Sequence, residues 1–329
     1  MCIKEKGYDL HLITEKISQF TDWAFKTVTV YPSLNHLYDS IKLFPDADLF
    51  HVHNEPSFFV TTVKETFPDK PVILDVHDTM LSRRIKGEEL STRQFRISVD
   101  ERNNFKLADG MVYVCEPHQA MVNEEYEITV PNIVLYSAVP LGFYRIDFKK
   151  WWGGIVYEGR IDVPGALDEG EEWDFFEYAN YTHMAKEAKE QGVAFHIYTP
   201  RKNEKLREIY NPLAIMHEPL SFDRLIKEIG AHDWGVVGNT KAHPQWAIAM
   251  PNKMFEHIGA CLPTVSFNAA ECDKFLEETG FGISCKTIPE LKERWDEQFK
   301  CRENIIKKRN KYCMEEYIGG LDNLYRNFI

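Results

Sequence analysis

The densest run of chemically capable residues is segment 250–271, MPNKMFEHIGACLPTVSFNAAE. Pro251 can open a helix, since the N–H it lacks is one a helix start leaves unbonded anyway. Asn252 lies in that first turn, and Lys253 and Glu256, three residues apart, share one helix face. A helix N-terminus attracts anions. Lys253 adds a positive charge there, and the Glu256 carboxylate can accept two hydroxyl hydrogen bonds from a ribose. Gly259 and Pro263 then turn the chain into a strand over residues 264–267. The plain alternative is an ordinary helix carrying a surface ion pair.

Three further stretches place polar groups directly behind apolar runs. IVYEGRID (155–162) sets Gly159 and Arg160 after a strand; the alternative for Arg160 is a surface salt bridge. HVHNEP (51–56) and LDVHDT (74–79) do the same with His51, His53, Asn54, Glu55, His77 and Asp78. A parallel sheet presents its ligands at such strand ends. His51 reads more simply as a satisfied core histidine. Asp78 either orients His77 or caps a helix. His243 and Gln245, in AHPQW, stand near the first segment and could reach a sugar.

The elements that must hold these groups alternate. Strands are expected at 9–14, 48–53, 71–76, 110–115 and 132–136, then at 154–158, 193–198, 234–237 and 264–267. Helices are expected over 91–107, 175–191 with Gly192 as a stop signal, 221–229 and 251–259, and from 288 to the end. Continuous β-branched runs suit strands buried on both faces of a parallel sheet. The pattern predicts an α/β chain of two Rossmann-like, doubly wound lobes. The first lobe would cover residues 1–148 and the second 149–305, with a C-terminal helix over 306–329 that packs back on the first. Residues 140–152 read as the linker. The first lobe looks short of an opening strand, because a helix-like piece over residues 1–6 precedes its first strand.

Composition is that of an ordinary globular protein, 44% hydrophobic and 27% charged. No apolar run reaches the roughly 18–20 residues that cross a bilayer. The N-terminus has no signal-peptide core. A cytoplasmic protein is expected, with peripheral contact at the inner membrane face left open. The net charge of −12 argues against a nucleic-acid partner. The stretch Arg83, Arg84, Lys86, Arg93 and Arg96 keeps an anionic acceptor, a phospholipid surface or DNA in view, against the simpler reading of a solvated helix face. The acidic run 168–174 reads as a solvated loop. Seven cysteines, none in a C-x-x-C pair, fit reduced structural thiols rather than a zinc site or disulfides.

Segment 250–271 resembles the donor-binding motif of family 4-type glycosyltransferases of the GT-B fold, which reads P-x-K-x-x-E-x-x-x-x-G-x-P. Pro251, Lys253, Glu256 and Pro263 carry the match, with Gly259 or Ala260 one or two residues short of the pattern's glycine. The resemblance implies retaining transfer of a sugar from a nucleoside-diphosphate sugar, with Glu256 on the ribose. It makes Gly159, Arg160, Asn252, Lys253, Glu256 and His243 donor-binding residues. His77 and Asp78 become the catalytic pair, and His53, Asn54, Glu55, Arg83 and Arg84 lie on the acceptor side. VCEP (114–117) resembles a V-S-E turn with Cys115 in the Ser place, and Glu116 there is as readily structural as functional. Two positions depart from the pattern. Gly165 stands where the family carries a phosphate-clamping lysine, and Ile248 where it carries a first glutamate. Lys253 would then supply the second positive charge.

Asp46-x-Asp48 spells the metal motif of a different glycosyltransferase fold, but it precedes a strand and reads as loop. No other cluster has metal-ligand spacing, so no metal and no cofactor beyond the nucleotide-sugar co-substrate are expected. The rival readings are a sugar-nucleotide epimerase of the same fold, a catalytically silent nucleotide-sugar-binding module, and a glycosyltransferase acting on modified DNA bases.

Overall fold

The computed structural model describes residues 2–17, 24–53, 58–83, 89, 92–146, 150–166 and 177–329. The chain divides into two compact units, one of Met1–Tyr136 with Met314–Ile329, the other Ser137–Cys313. Both are built on parallel sheets, so the expected doubly wound α/β fold is what the structure holds.

In the first unit, β1 (His11–Thr14) pairs with β2 (Thr27–Val30), in a separate sheet of two strands among the described residues. The main sheet runs in sequence order through β3 (Phe50–His53), β4 (Val72–Val76), β5 (Gly110–Tyr113) and β6 (Asn132–Val134). The apolar run VILDV makes β4 a central strand, wholly buried. Its side chains alternate between two cores. Val72, Leu74 and Val76 pack with Val60, Phe105 and Val122 on one face. Ile73 packs with Val112, Leu321, Leu324 and Tyr325 on the other. The second face is thus covered by the C-terminal helix Met314–Arg326. Burying each such aliphatic side chain contributes about 1.5–3 kcal/mol.

The second unit holds β7 (Ile155–Glu158), β8 (Phe195–Tyr198), β9 (Ile215–His217), β10 (Trp234–Gly238), β11 (Thr264–Phe267) and β12 (Gly282–Cys285). Their order is β9-β8-β7-β10-β11-β12, all parallel. The chain winds outward from β7, then returns to its other side with β10. In open parallel sheets a ligand crevice lies at the carboxyl ends of the two strands where that direction reverses. Those ends are Glu158–Gly159 and Gly238–Asn239. The helical run expected from residue 288 is in fact interrupted, into Ile288–Glu293, Glu297–Lys308 and Met314–Arg326.

Candidate functional site

Helix Asn252–Gly259 starts behind Pro251, whose extended backbone occupies the N-cap position. It turns Met254, Phe255, His257 and Ile258 into the core. Asn252 is exposed at its start, and Lys253 and Glu256 share the remaining, half-buried face. The Lys253 ammonium lies 5.0 Å from the centre of the Tyr157 ring. It also lies against the backbone of Gly159, where an added Cβ would stand 2.9 Å from Nζ. Gly159 has φ +130°, a conformation only glycine adopts readily. Burial opposes the charge on Lys253, yet Tyr157, Glu158 and Glu256 hold its pKa above the ordinary lysine value. Burial, followed by the charge of Glu158, pushes Glu256 up to about 7, with Lys253 opposing. The structure therefore brings Gly159, Lys253 and Glu256 together at the end of β7.

Two residues that sequence reasoning passed over complete this cluster. Glu158, the last residue of β7, is 2% exposed. Its carboxylate faces His257 Nε2 at 2.9 Å, and the other ring nitrogen of His257 lies 3.0 Å from the Thr264 hydroxyl. A Cβ on Gly235 would press within 2.5 Å of that ring, so β10 must carry glycine there. A glutamate closing the otherwise apolar strand IVYE was the available signal.

Arg160 Nε donates to Asp162 at 3.0 Å, and its side chain is 30% exposed. Asp162 is also held by a close ion pair from buried Arg201, which donates to the Ala166 carbonyl at 2.8 Å. Arg201 was not foreseen. At Gly165, where the resemblance expects a lysine, Lys205 reaches in from another segment and donates to the Gly165 carbonyl at 3.1 Å. His243 sits at the N-cap of the short helix Pro244–Ile248, where Nδ1 accepts from Gln245 N–H at 3.1 Å. Gln245 is buried.

In the first unit, His77 follows β4, but the carboxylate that holds it is Asp75, at 3.2 Å from Nε2. Asp78, expected either to orient His77 or to cap a helix, pairs with Arg83 at 3.1 Å and adds to the rise in the His77 pKa. Asp75 reaches the ring because Asp75 and His77 lie two residues apart, on one side of an extended chain. Burial works against the charge on His77, while Asp75 and Asp78 raise its pKa. Burial also opposes the charge on Asp75, but bonds from His53 and His77 hold it well below the usual carboxylate range. The Arg83 side chain, expected on the acceptor side, is 12% exposed. His53 is exposed, and Asn54, Glu55, Arg84, Lys86 and the acidic run 168–174 lie outside the described residues. Arg96 is exposed on the helix Thr92–Leu107. Glu116 accepts from the Tyr136 hydroxyl at 2.8 Å. Asp46 and Asp48 sit in the turns before β3. Sequence spacing joins no such group, yet the pairing of β3 with β4 brings ligand atoms of His51, His53 and Asp75 within 4.8 Å of one another.

Among the described residues no helix is long and apolar enough to cross a membrane. All seven cysteines are free and buried. No protein-family profile and no curated protein sequence matches the chain. Solved structures do. Sucrose-phosphate synthase from Thermosynechococcus elongatus aligns over 99% of this chain and 90% of its own, at 11% identity and a TM-score of 0.65. HepE from Anabaena, in complex with UDP and glucose, aligns over 99% of this chain and 94% of its own, at 11% identity and a TM-score of 0.65. A glycosyltransferase from Rickettsia africae aligns over 99% and 92%, at 10% identity and a TM-score of 0.63. With two parallel-sheet units and these likenesses across its length, the chain has the GT-B glycosyltransferase fold.

Proposed function

We propose that the chain is a glycosyltransferase that moves a sugar from a nucleoside-diphosphate sugar to an acceptor, with retention and without a metal on the diphosphate. The observation that carries this reading is the Lys253 ammonium seated against Gly159 beside Glu256, at the strand ends where an α/β sheet takes its ligand. Glu256, when ionised, accepts the two ribose hydroxyls. Lys253 and Arg160 neutralise the departing diphosphate as charge builds on it. His77, held by Asp75, is the residue of the first unit that we assign to the transfer, together with Asp78. The relatives in fold support the donor class: HepE was solved with UDP-glucose. We place the reaction in the cytoplasm, where buried free thiols stay reduced.

A bound donor stabilises a protein by mass action. Thermal melting with UDP, GDP and their sugars is therefore the first test. The expected result is a raised melting temperature with at least one of them, absent in Glu256→Ala and reduced in Lys253→Ala. If neither nucleotide nor any of their sugars moves the melting temperature, the reading fails.

A further inference from the structure

We propose that His51, His53 and Asp75 form a binding site for one divalent transition-metal ion of the zinc type. β3 carries His51 and His53 two residues apart, hence on one face. The register sets His53 opposite Asp75 on β4. His53 Nδ1 lies 3.1 Å and His51 Nε2 3.8 Å from the same carboxylate oxygen, Asp75 Oδ2. Tetrahedral ligands about 2.0–2.1 Å from zinc stand roughly 3.4 Å apart. The cluster needs only small side-chain shifts to reach that spacing.

The surroundings fit a metal better than a bare hydrogen-bonded cluster. His51 Nε2 is buried and has no hydrogen-bond partner. Its Nδ1 is engaged with the Tyr325 hydroxyl at 2.5 Å. A ligating histidine is normally fixed in this way, its second nitrogen bonded to an orienting group. Asp75 is oriented likewise, its other oxygen Oδ1 taken by His77 at 3.2 Å. Two imidazoles and one carboxylate are the donor set zinc accepts in sites with an open fourth position. Here that position falls to water or an anionic ligand, beside the 70% exposed side chain of His53. All three residues belong to the first unit.

The test is zinc binding by the untagged full chain after chelator treatment, followed by calorimetry and by the visible spectrum of the cobalt(II) form. One equivalent should bind, with the absorption of four-coordinate cobalt and a raised melting temperature, both without UDP. His53→Ala, at an exposed position that leaves the core intact, should weaken zinc at least 100-fold. Tyr325→Phe should weaken it about tenfold, in the range for an orienting group. His11→Ala, an exposed imidazole elsewhere, should change nothing. Equal zinc binding by the parent chain and His53→Ala, or no stoichiometric binding by the parent, overturns the proposal.

Discussion

The Lys253 ammonium rests against the backbone of Gly159, so close that a methyl group on Gly159 would lie 2.9 Å from it. Gly159→Ala should therefore act in two separable ways. The positive φ costs about 1–3 kcal/mol of stability in any residue but glycine. The methyl also displaces the flexible end of Lys253, so nucleotide affinity should fall by about tenfold. Lys253→Met in the Gly159→Ala background should then cost little further affinity. Urea denaturation and nucleotide titration of the single and double variants check this, and fully additive affinity losses would sink it.

With Glu256 on the ribose, as proposed, nucleotide binding should be pH-dependent. With its pKa pushed up to about 7 by burial and Glu158, it is largely protonated at pH 6 and ionised at pH 8. Only the ionised form accepts two ribose hydroxyls. Nucleotide affinity should thus weaken about tenfold from pH 8 to pH 6. The contribution of Glu256 itself to stability without ligand runs the opposite way and partly offsets the acid sensitivity that the buried histidines of the same unit confer. A carboxyl whose folded pKa is raised stabilises at low pH, and that contribution is lost as pH rises toward 7. Glu256→Gln should flatten the affinity profile and remove that offset, which calorimetric titrations and urea melts across the range measure.

The fold was legible because parallel strands buried on both faces read as unbroken apolar runs. IVYE, FHIY and TVSF each announce themselves in this way. β12, GISC, and β9, IMH, do not, since they lie at the sheet edges and carry half-exposed positions. Lys253 and Glu256 were legible because a single helix turn joins them. Asp162 and Arg201, or Glu158 and His257, come from distant segments, and only strand order places them together. The same holds for His53 and Asp75, which no local spacing connects. Asp75 stands two residues before His77, and in an extended chain residues two apart share a side, so strand geometry brings this carboxylate to the ring.

Acid should unfold the second unit early. His196 and His232, with ring centres 4.4 Å apart, are buried near His217. Burial, then the neighbouring imidazoles, pushes them down to about 4 and about 3. Glu228 only partly offsets the burial of His217. In the unfolded chain these groups protonate near pH 6.5. Between pH 6.5 and 4 the unfolded state thus binds more protons, and stability falls with pH by up to about 1.4 kcal/mol per unit for each group. His196→Gln should remove about one group's share of that slope, as seen in urea melts at pH 7.5 and 5. An unchanged slope would refute the assignment.

Glu158 and His257 should be worth more as a pair than their separate losses suggest. Both are buried, and the carboxylate has no hydrogen bond among the described residues, so the imidazole 2.9 Å away is its main support. Removing one partner leaves the other buried without it, which costs about 1–3 kcal/mol, whereas replacing both with apolar groups of the same shape is often far milder. His257→Leu and Glu158→Leu should each destabilise strongly, and the double variant should be more stable than the sum of the two losses predicts. Gly235→Ala should resemble His257→Leu, because its methyl drives into the ring from a strand that cannot yield. Denaturation midpoints decide the matter: strict additivity would mean that the two side chains stand side by side without supporting one another.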